Sequence, residues 1–202
     1  ITFELPRNSL MTAVEMETIV AWEAAGALEG DPSSYVAPPS GTSPIGEPDL
    51  LLDAGVGYTK DLNLPDDYRC FPLQHTFEEE TFLIGSNVYP DQKPIVHHVL
   101  FYAVGPDKVA ALAANDAADP GPGYQCFGGP SVGNTLLIGG WVPGMQSVFF
   151  PKGAVIPVEA GSQLVMQIHY NALGVADPAS VPEDRTKVAL WTMEPGEKPT
   201  HL

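Results

Sequence analysis

The chain has 202 residues and a formal net charge of −16, from 9 basic and 25 acidic residues. Such an excess of negative charge repels nucleic-acid phosphates and anionic lipid surfaces, so we expect neither nucleic acid nor a membrane surface as a partner. No apolar run approaches the roughly 18 to 20 residues that a transmembrane helix requires. Charged residues make up only 17% of the chain, and the 20 Gly and 21 Pro favour many short strands separated by turns.

The first predicted element is a helix over residues 10–28. Thr12 and Glu15 have the spacing of a capping box at its start, and Gly26 is placed to end it. This stretch is the one segment with a convincing helical pattern. We therefore predict a helical segment that differs in character from the rest of the chain.

A stretch rich in Pro, Gly and Ser follows from about Gly30 to Pro48 and indicates an extended linker. We predict three parts: a helical segment at 1–29, a linker at 30–48 and a folded domain at 49–202.

The helical segment resembles the closing helix of the small c-type cytochrome domains that bacteria fuse ahead of other modules. No C-x-x-C-H haem-attachment motif precedes it, and Leu5 stands before Pro6 where such domains often carry an axial Met. We expect no haem. The alternative is an N-terminal helix that packs on the folded domain.

From Leu50 onward, short apolar or alternating runs are separated by turn signals. Their spacing, without helices between them, predicts an antiparallel β-sandwich of jelly-roll type with about eight or nine strands. The candidate strands are Tyr68–Gln74, Thr81–Val88, Ile95–Val104, Thr135–Ile138, Ser147–Phe150, Ala154–Val158, Gln163–Asn171 and Lys187–Met193.

Three of the five histidines lie in predicted strands, namely His97 and His98 in PIVHHVLFY and His169 in LVMQIHYN. Three imidazoles suit a copper ion that changes oxidation state, although the same ligands also fit zinc. We expect His75, beside an acidic run, and His201, at the C-terminal end of the sequence, to be solvated. The sequence therefore predicts one metal site with three histidine ligands.

The position of each histidine within its strand constrains this site. His169 shares one face of its strand with Gln167, because side chains alternate. The other face consists of Leu164, Met166, Ile168 and Tyr170. His97 and His98, being adjacent, would point to opposite sides of a regular strand, so both can bind one ion only near a strand end or a bulge. Pro94 just upstream favours such an irregular start.

Three segments of the chain, LPDDYRCF, IVHHVLFY and FPKGAVIPVEAGSQLVMQIHYN, occur in this order. Together they resemble signatures of the N-terminal domain of the copper type II, ascorbate-dependent monooxygenases, the family of peptidylglycine α-hydroxylating monooxygenase and dopamine β-monooxygenase. The likeness covers about residues 48–195 and includes a Tyr-x-Cys motif whose cysteine precedes His97 by 27 positions.

The resemblance implies an enzyme with two jelly-roll domains, one copper in each, and ascorbate or another one-electron reductant as the electron donor. By this likeness, His97, His98 and His169 hold the single copper of this chain, which supplies an electron and performs no catalysis itself. Gln167 and Tyr68 are candidates for groups that orient the imidazoles.

The family also pairs the cysteine of its Tyr-x-Cys motif with one beyond the histidine pair. In this chain that implies a bond between Cys70 and Cys126, 56 positions apart. The alternative is two buried free thiols in a reducing compartment. The resemblance favours the disulfide and an extracytoplasmic location, either periplasmic or secreted.

The chain departs from the family after Asn171, because the roughly thirty remaining residues contain no second copper-binding pattern. We expect the oxygen-activating copper to lie in a missing C-terminal part or in a partner chain, so this chain alone is not competent for hydroxylation.

Two other functions remain open, a non-catalytic copper carrier and a β-sandwich interaction module that binds sugar through exposed aromatic residues. The aromatic candidates for such a surface are Trp141, Phe149 and Phe150. Asp66 and Asp67 look like a turn rather than a pair of catalytic carboxylates, and hydrolase chemistry is not indicated.

Overall fold

The computed structural model describes residues 11–34, 46–173, 175, 181–194 and 196–200. Contacts divide the chain into two compact units, Ile1–Ser40 and Gly41–Leu202. Leu5, Pro6, His201 and most of the predicted linker lie outside the described residues.

The first unit contains helix α1, Ala13–Ala24, which is shorter than the predicted 10–28. Its predicted capping box is confirmed: the Glu15 N–H donates to Thr12 Oγ1 at 3.3 Å, and the Thr12 N–H donates to Glu15 Oε2 at 2.7 Å. Gly26 follows the last helical turn with a φ of 93°, a conformation that glycine adopts without steric cost. No side chain of α1 is buried.

The second unit is an antiparallel β-sandwich, as the sequence predicted. One sheet has the order β1-β10-β3-β7, with β8 also paired to β3, and the other has the order β5-β2-β9-β4-β6. We call the second of these the histidine sheet, because β4 and β9 carry His97, His98 and His169. Within the described residues of this unit there are ten strands: β1 Leu50–Asp53, β2 Asp66–Thr76, β3 Thr81–Tyr89, β4 Val96–Val104, β5 Tyr124–Gln125, β6 Thr135–Trp141, β7 Val148–Phe149, β8 Ile156–Val158, β9 Gln163–Asn171 and β10 Lys187–Thr192.

Sequence patterns missed three elements of this unit. Strands β1 and β5 were not predicted, and neither was helix α2, Val109–Ala118, which lies between β4 and β5. Within this helix Leu112 is the one buried side chain, so there is no apolar stripe to reveal it. Its alanine-rich sequence favours a helix through intrinsic propensity instead. The expectation that no helix interrupts the strands was therefore wrong.

The histidine sheet is covered on both faces. One face of β9 carries Leu164, Met166, Ile168 and Tyr170, the four residues predicted to share a face, and all of them lie in the main core. The opposite face places Val165 in a second apolar cluster with Cys70, Cys126 and Leu112 of α2. Strand β9 is consequently buried at seven successive positions and forms the rigid centre of the sheet.

The implied disulfide between Cys70 and Cys126 is present. It joins β2 to the segment that follows β5, and both cysteines are buried. None of the helices in the described residues has both the length and the apolar character needed to cross a membrane.

Replacing Cys70 and Cys126 together by alanine should lower the free energy of unfolding by about 4 kcal/mol, because the bond closes a loop of 56 positions in the unfolded chain. Urea denaturation followed by fluorescence measures this loss. Reducing the parent protein should bring its unfolding midpoint to that of the variant, and an unchanged midpoint in both experiments would contradict the prediction.

Candidate metal site

The three predicted ligands meet where β4 and β9 run side by side. In this pair Val96 lies opposite Tyr170 and His98 lies opposite His169, so His97 is an extra residue in β4. This irregularity is a β-bulge, and it removes the strict alternation that would send adjacent side chains to opposite sides. The predicted irregularity near the start of this strand is confirmed.

The bulge brings the Nδ1 atoms of the three imidazoles together. His97 Nδ1 lies 3.2 Å from His98 Nδ1, and His169 Nδ1 lies 3.1 Å from the first and 3.2 Å from the second. His169 is buried, His98 is partly exposed and His97 is exposed. The cluster therefore lies at the protein surface and is anchored from the interior by His169.

These separations fit one metal ion. Nitrogen ligands about 2.0 Å from an ion, with near-tetrahedral angles, lie roughly 3.3 Å from one another. Without an ion, three mutually facing nitrogens leave lone pairs or protons in conflict, because each neutral imidazole has one donor and one acceptor. In the described part of the chain no other group of three His, Cys, Asp or Glu side chains is placed to hold a metal.

The environment of His98 favours the form of the imidazole that binds metals. Burial lowers the pKa of His98, and positive charge on His169 or His97 would lower that pKa further. A lower pKa favours the neutral ring, which is the form that offers a nitrogen lone pair to a metal.

A carboxylate that the sequence analysis assigned to a turn orients the third imidazole. Asp66 is the first residue of β2, and its Oδ1 accepts hydrogen bonds from His169 Nε2 and from Asn171 Nδ2, both at 2.8 Å. Both hydrogen bonds lower the pKa of Asp66, and the one from Asn171 has the larger effect. With the proton of His169 on Nε2, the lone pair of Nδ1 points to the other two histidines.

The interpretation of Asp66 and Asp67 as a turn was wrong, because both belong to β2. Asp67 is buried and accepts a hydrogen bond from the hydroxyl of Tyr58. Alternation along β2 could have revealed the role of Asp66, since it shares a face with Tyr68 two positions on. What the sequence did not reveal is that β9 would be the strand beside it.

Tyr68 lies against the imidazole that it was predicted to orient. It is directly opposite His169 in the β2–β9 pair, and the two rings stack with centroids 4.1 Å apart and an angle of 2° between their planes. The ring of Phe127 packs on Tyr68 in a T-shaped contact with a centroid distance of 5.0 Å. Tyr68 thus restricts the motion of the His169 ring, and Phe127 packs in turn on Tyr68.

Gln167 is placed differently. Its side-chain amide donates to Cys126 Sγ at 3.2 Å and to the carbonyl of Gly129 at 3.4 Å. Among the described contacts it has no hydrogen bond to an imidazole. Gln167 therefore contacts the disulfide directly, and its effect on the histidines stays a prediction.

The remaining candidates are engaged in packing contacts of their own. The ring of His75 packs on that of Phe77 in a T-shaped contact with a centroid distance of 4.8 Å. Trp141, a candidate for an exposed sugar-binding surface, is buried, and Phe149 packs on Trp191 with a centroid distance of 4.9 Å. These contacts assign both aromatic residues to packing.

Loss of a residue that hydrogen-bonds to a metal ligand typically weakens metal binding by roughly 10- to 100-fold. The substitution His169→Ala removes a ligand itself, so it should weaken binding of Cu(II) or Zn(II) by more than that. Isothermal titration with each ion measures the change. His75→Ala is the matched control and should bind as the parent does, whereas equal loss in both variants would contradict the assignment.

The substitution Tyr68→Leu should weaken metal binding by roughly 2- to 10-fold, because a stacked aromatic pair contributes about 0.5 to 1.5 kcal/mol beyond its buried area. Tyr68→Phe keeps the stacking and should retain the affinity of the parent. If the two variants bind equally weakly, the hydroxyl rather than the stacking is what matters.

Comparison of the chain with protein-family models and with curated proteins finds no match. The geometry itself gives a cluster of three histidines that could hold one metal ion, in a β-sandwich that contains a disulfide.

Proposed function

We propose that this chain is the electron-transfer domain of a copper type II, ascorbate-dependent monooxygenase, and that His97, His98 and His169 hold one copper ion. The observation that carries the proposal is the convergence of three Nδ1 atoms to separations of 3.1–3.2 Å. The choice of family rests on the resemblance of three sequence motifs, in their order, to signatures of those enzymes.

The donor set favours copper over other divalent ions. All three ligands are imidazoles, and affinity for such sites rises along the first transition series to a maximum at Cu(II). Copper bound there would accept one electron from ascorbate or a similar reductant and pass it on. Zinc fits the same ligands but has no redox chemistry, so an electron-transfer role requires copper.

The residues around His169 suit electron transfer because they keep its imidazole in place. His169 is fixed by Asp66 on one ring nitrogen and by Tyr68 on one ring face. It also lies on the buried central strand of its sheet. A site that keeps its geometry loses little energy to reorganisation when the charge of the ion changes. The exposure of His97 gives a small reductant access to the edge of the site.

The proposal implies a second copper domain, in a further part of the polypeptide or in a partner chain, where dioxygen is activated and substrate is hydroxylated. It also implies an oxidising compartment such as the periplasm or the extracellular space. The disulfide between Cys70 and Cys126 supports that location, because such bonds are rare in the cytosol.

One observation favours a second candidate, a copper carrier. His97 is exposed, so an acceptor protein could approach the ion directly and replace the ligands one at a time. A carrier must release copper to an acceptor, whereas an electron-transfer site must retain it through many cycles of reduction and oxidation.

The copper-loaded chain should lose its Cu(II) electron paramagnetic resonance signal when ascorbate is added and regain it with a mild oxidant. It should also retain about one copper per chain after repeated cycles, measured by mass spectrometry. Since a carrier need not turn over, rapid transfer of the Cu(I) to a competing chelator during the first cycle would favour the carrier, and failure to bind copper at all would refute both functions.

A further inference from the structure

Asp66 is held in place from two directions at the edge of the histidine cluster. Its side chain is about half exposed, and one oxygen, Oδ1, receives both the Nε2–H of His169 and the side-chain amide of Asn171 at 2.8 Å. Asp66 and Asn171 lie opposite each other in the β2–β9 pair. The pairing of β2 with β9 therefore places the carboxylate next to Nε2 of His169, the ring nitrogen that faces away from the cluster.

We propose that Asp66 is a positioning residue that sets the balance of copper affinity between the two oxidation states, stabilising Cu(II) over Cu(I) through His169. This inference rests on the proposed copper function and adds to it the residue that tunes the reduction potential. Asp66 does not bind the ion. It acts through the imidazole that separates it from the three Nδ1 atoms.

The first step of the argument is electronic. A carboxylate that accepts the Nε2 hydrogen bond of an imidazole makes the opposite nitrogen a more basic ligand. Nδ1 of His169 is that opposite nitrogen, and it faces the other two histidines. A more basic nitrogen favours the ion of higher charge, which is Cu(II).

The second step is electrostatic. His169 is only 6% exposed, so little water lies between the carboxylate and the cluster along the ring. A fixed negative charge attracts a doubly charged ion about twice as strongly as a singly charged one at the same distance. Both steps have the same sign, and both lower the reduction potential.

The third step concerns the other two ligands. In the described part of the chain, the side-chain hydrogen bonds of His97 and His98 involve only the ring nitrogens of the cluster. The carboxylate therefore acts on the cluster through His169.

The substitution Asp66→Asn tests the charge separately from the shape. Asparagine keeps an oxygen that can accept the same two hydrogen bonds, but it carries no charge. Glu79→Gln is the matched control, since it removes one negative charge from the turn between β2 and β3, beyond the opposite end of β2 from Asp66.

The measurement is the affinity of each copper-loaded protein for Cu(II) and for Cu(I), by competition with chelators specific to each state, together with the reduction potential. In Asp66→Asn the Cu(II) affinity should fall by roughly 10- to 100-fold, as expected for loss of such a partner, and the Cu(I) affinity should fall less. A tenfold change in the ratio of the two affinities raises the potential by about 59 mV. Glu79→Gln should match the parent in all three quantities.

Equal losses of Cu(II) and Cu(I) affinity in Asp66→Asn, with an unchanged potential, would show that Asp66 only supports the local structure and would overturn the inference. Parent-like values in the variant would overturn it as well. If the parent itself binds no copper, the proposed function falls and this inference falls with it. If the parent binds and cycles copper and the Asp66→Asn protein has the same reduction potential, the inference is refuted but the proposed function is not.

Discussion

The site depends on one departure from regular strand geometry, the β-bulge at the start of β4. In a regular strand His97 and His98 would lie on opposite sides of the sheet, and one of them would be lost to the cluster. The bulge is supported on both sides by regular pairing, with Val96 opposite Tyr170 before it and Val99 opposite Ile168 after it. The local loss of alternation is thus confined to the residues that bear the ligands.

The second requirement is a rigid base for the third ligand. Strand β9 lies between β2 and β4, and its interior is buried on both faces because the main core covers one side and the cluster around the disulfide covers the other. His169 stands near the end of this strand, where the interior meets solvent. Close packing around β9 fixes the position of the His169 backbone. Contacts with Tyr68 and Asp66 then restrict the rotation of the imidazole ring.

The charges near the cluster also suit a bound cation. The chain carries a formal net charge of −16, a field that attracts cations to its surface. Near the ligands, Asp66 carries a negative charge, because its hydrogen bonds lower its pKa and keep it ionised. Burial keeps His98 neutral by lowering its pKa. The protein thus offers the neutral imidazole of His98 to the ion, and the negative charge of Asp66 lies one imidazole away from it.

The sequence by itself determined the β-rich class, the capped helix, the face on which His169 lies and the need for a bulge at His97 and His98, because each follows from local periodicity. The disulfide came from likeness to a family, since spacing alone leaves the pairing open. Only the tertiary structure decided that β2 lies beside β9. That pairing places Tyr68 on the imidazole and Asp66 on its far nitrogen, and it directs Gln167 to the disulfide. Pairing between strands about 100 residues apart depends on packing of the whole domain, which no local pattern records.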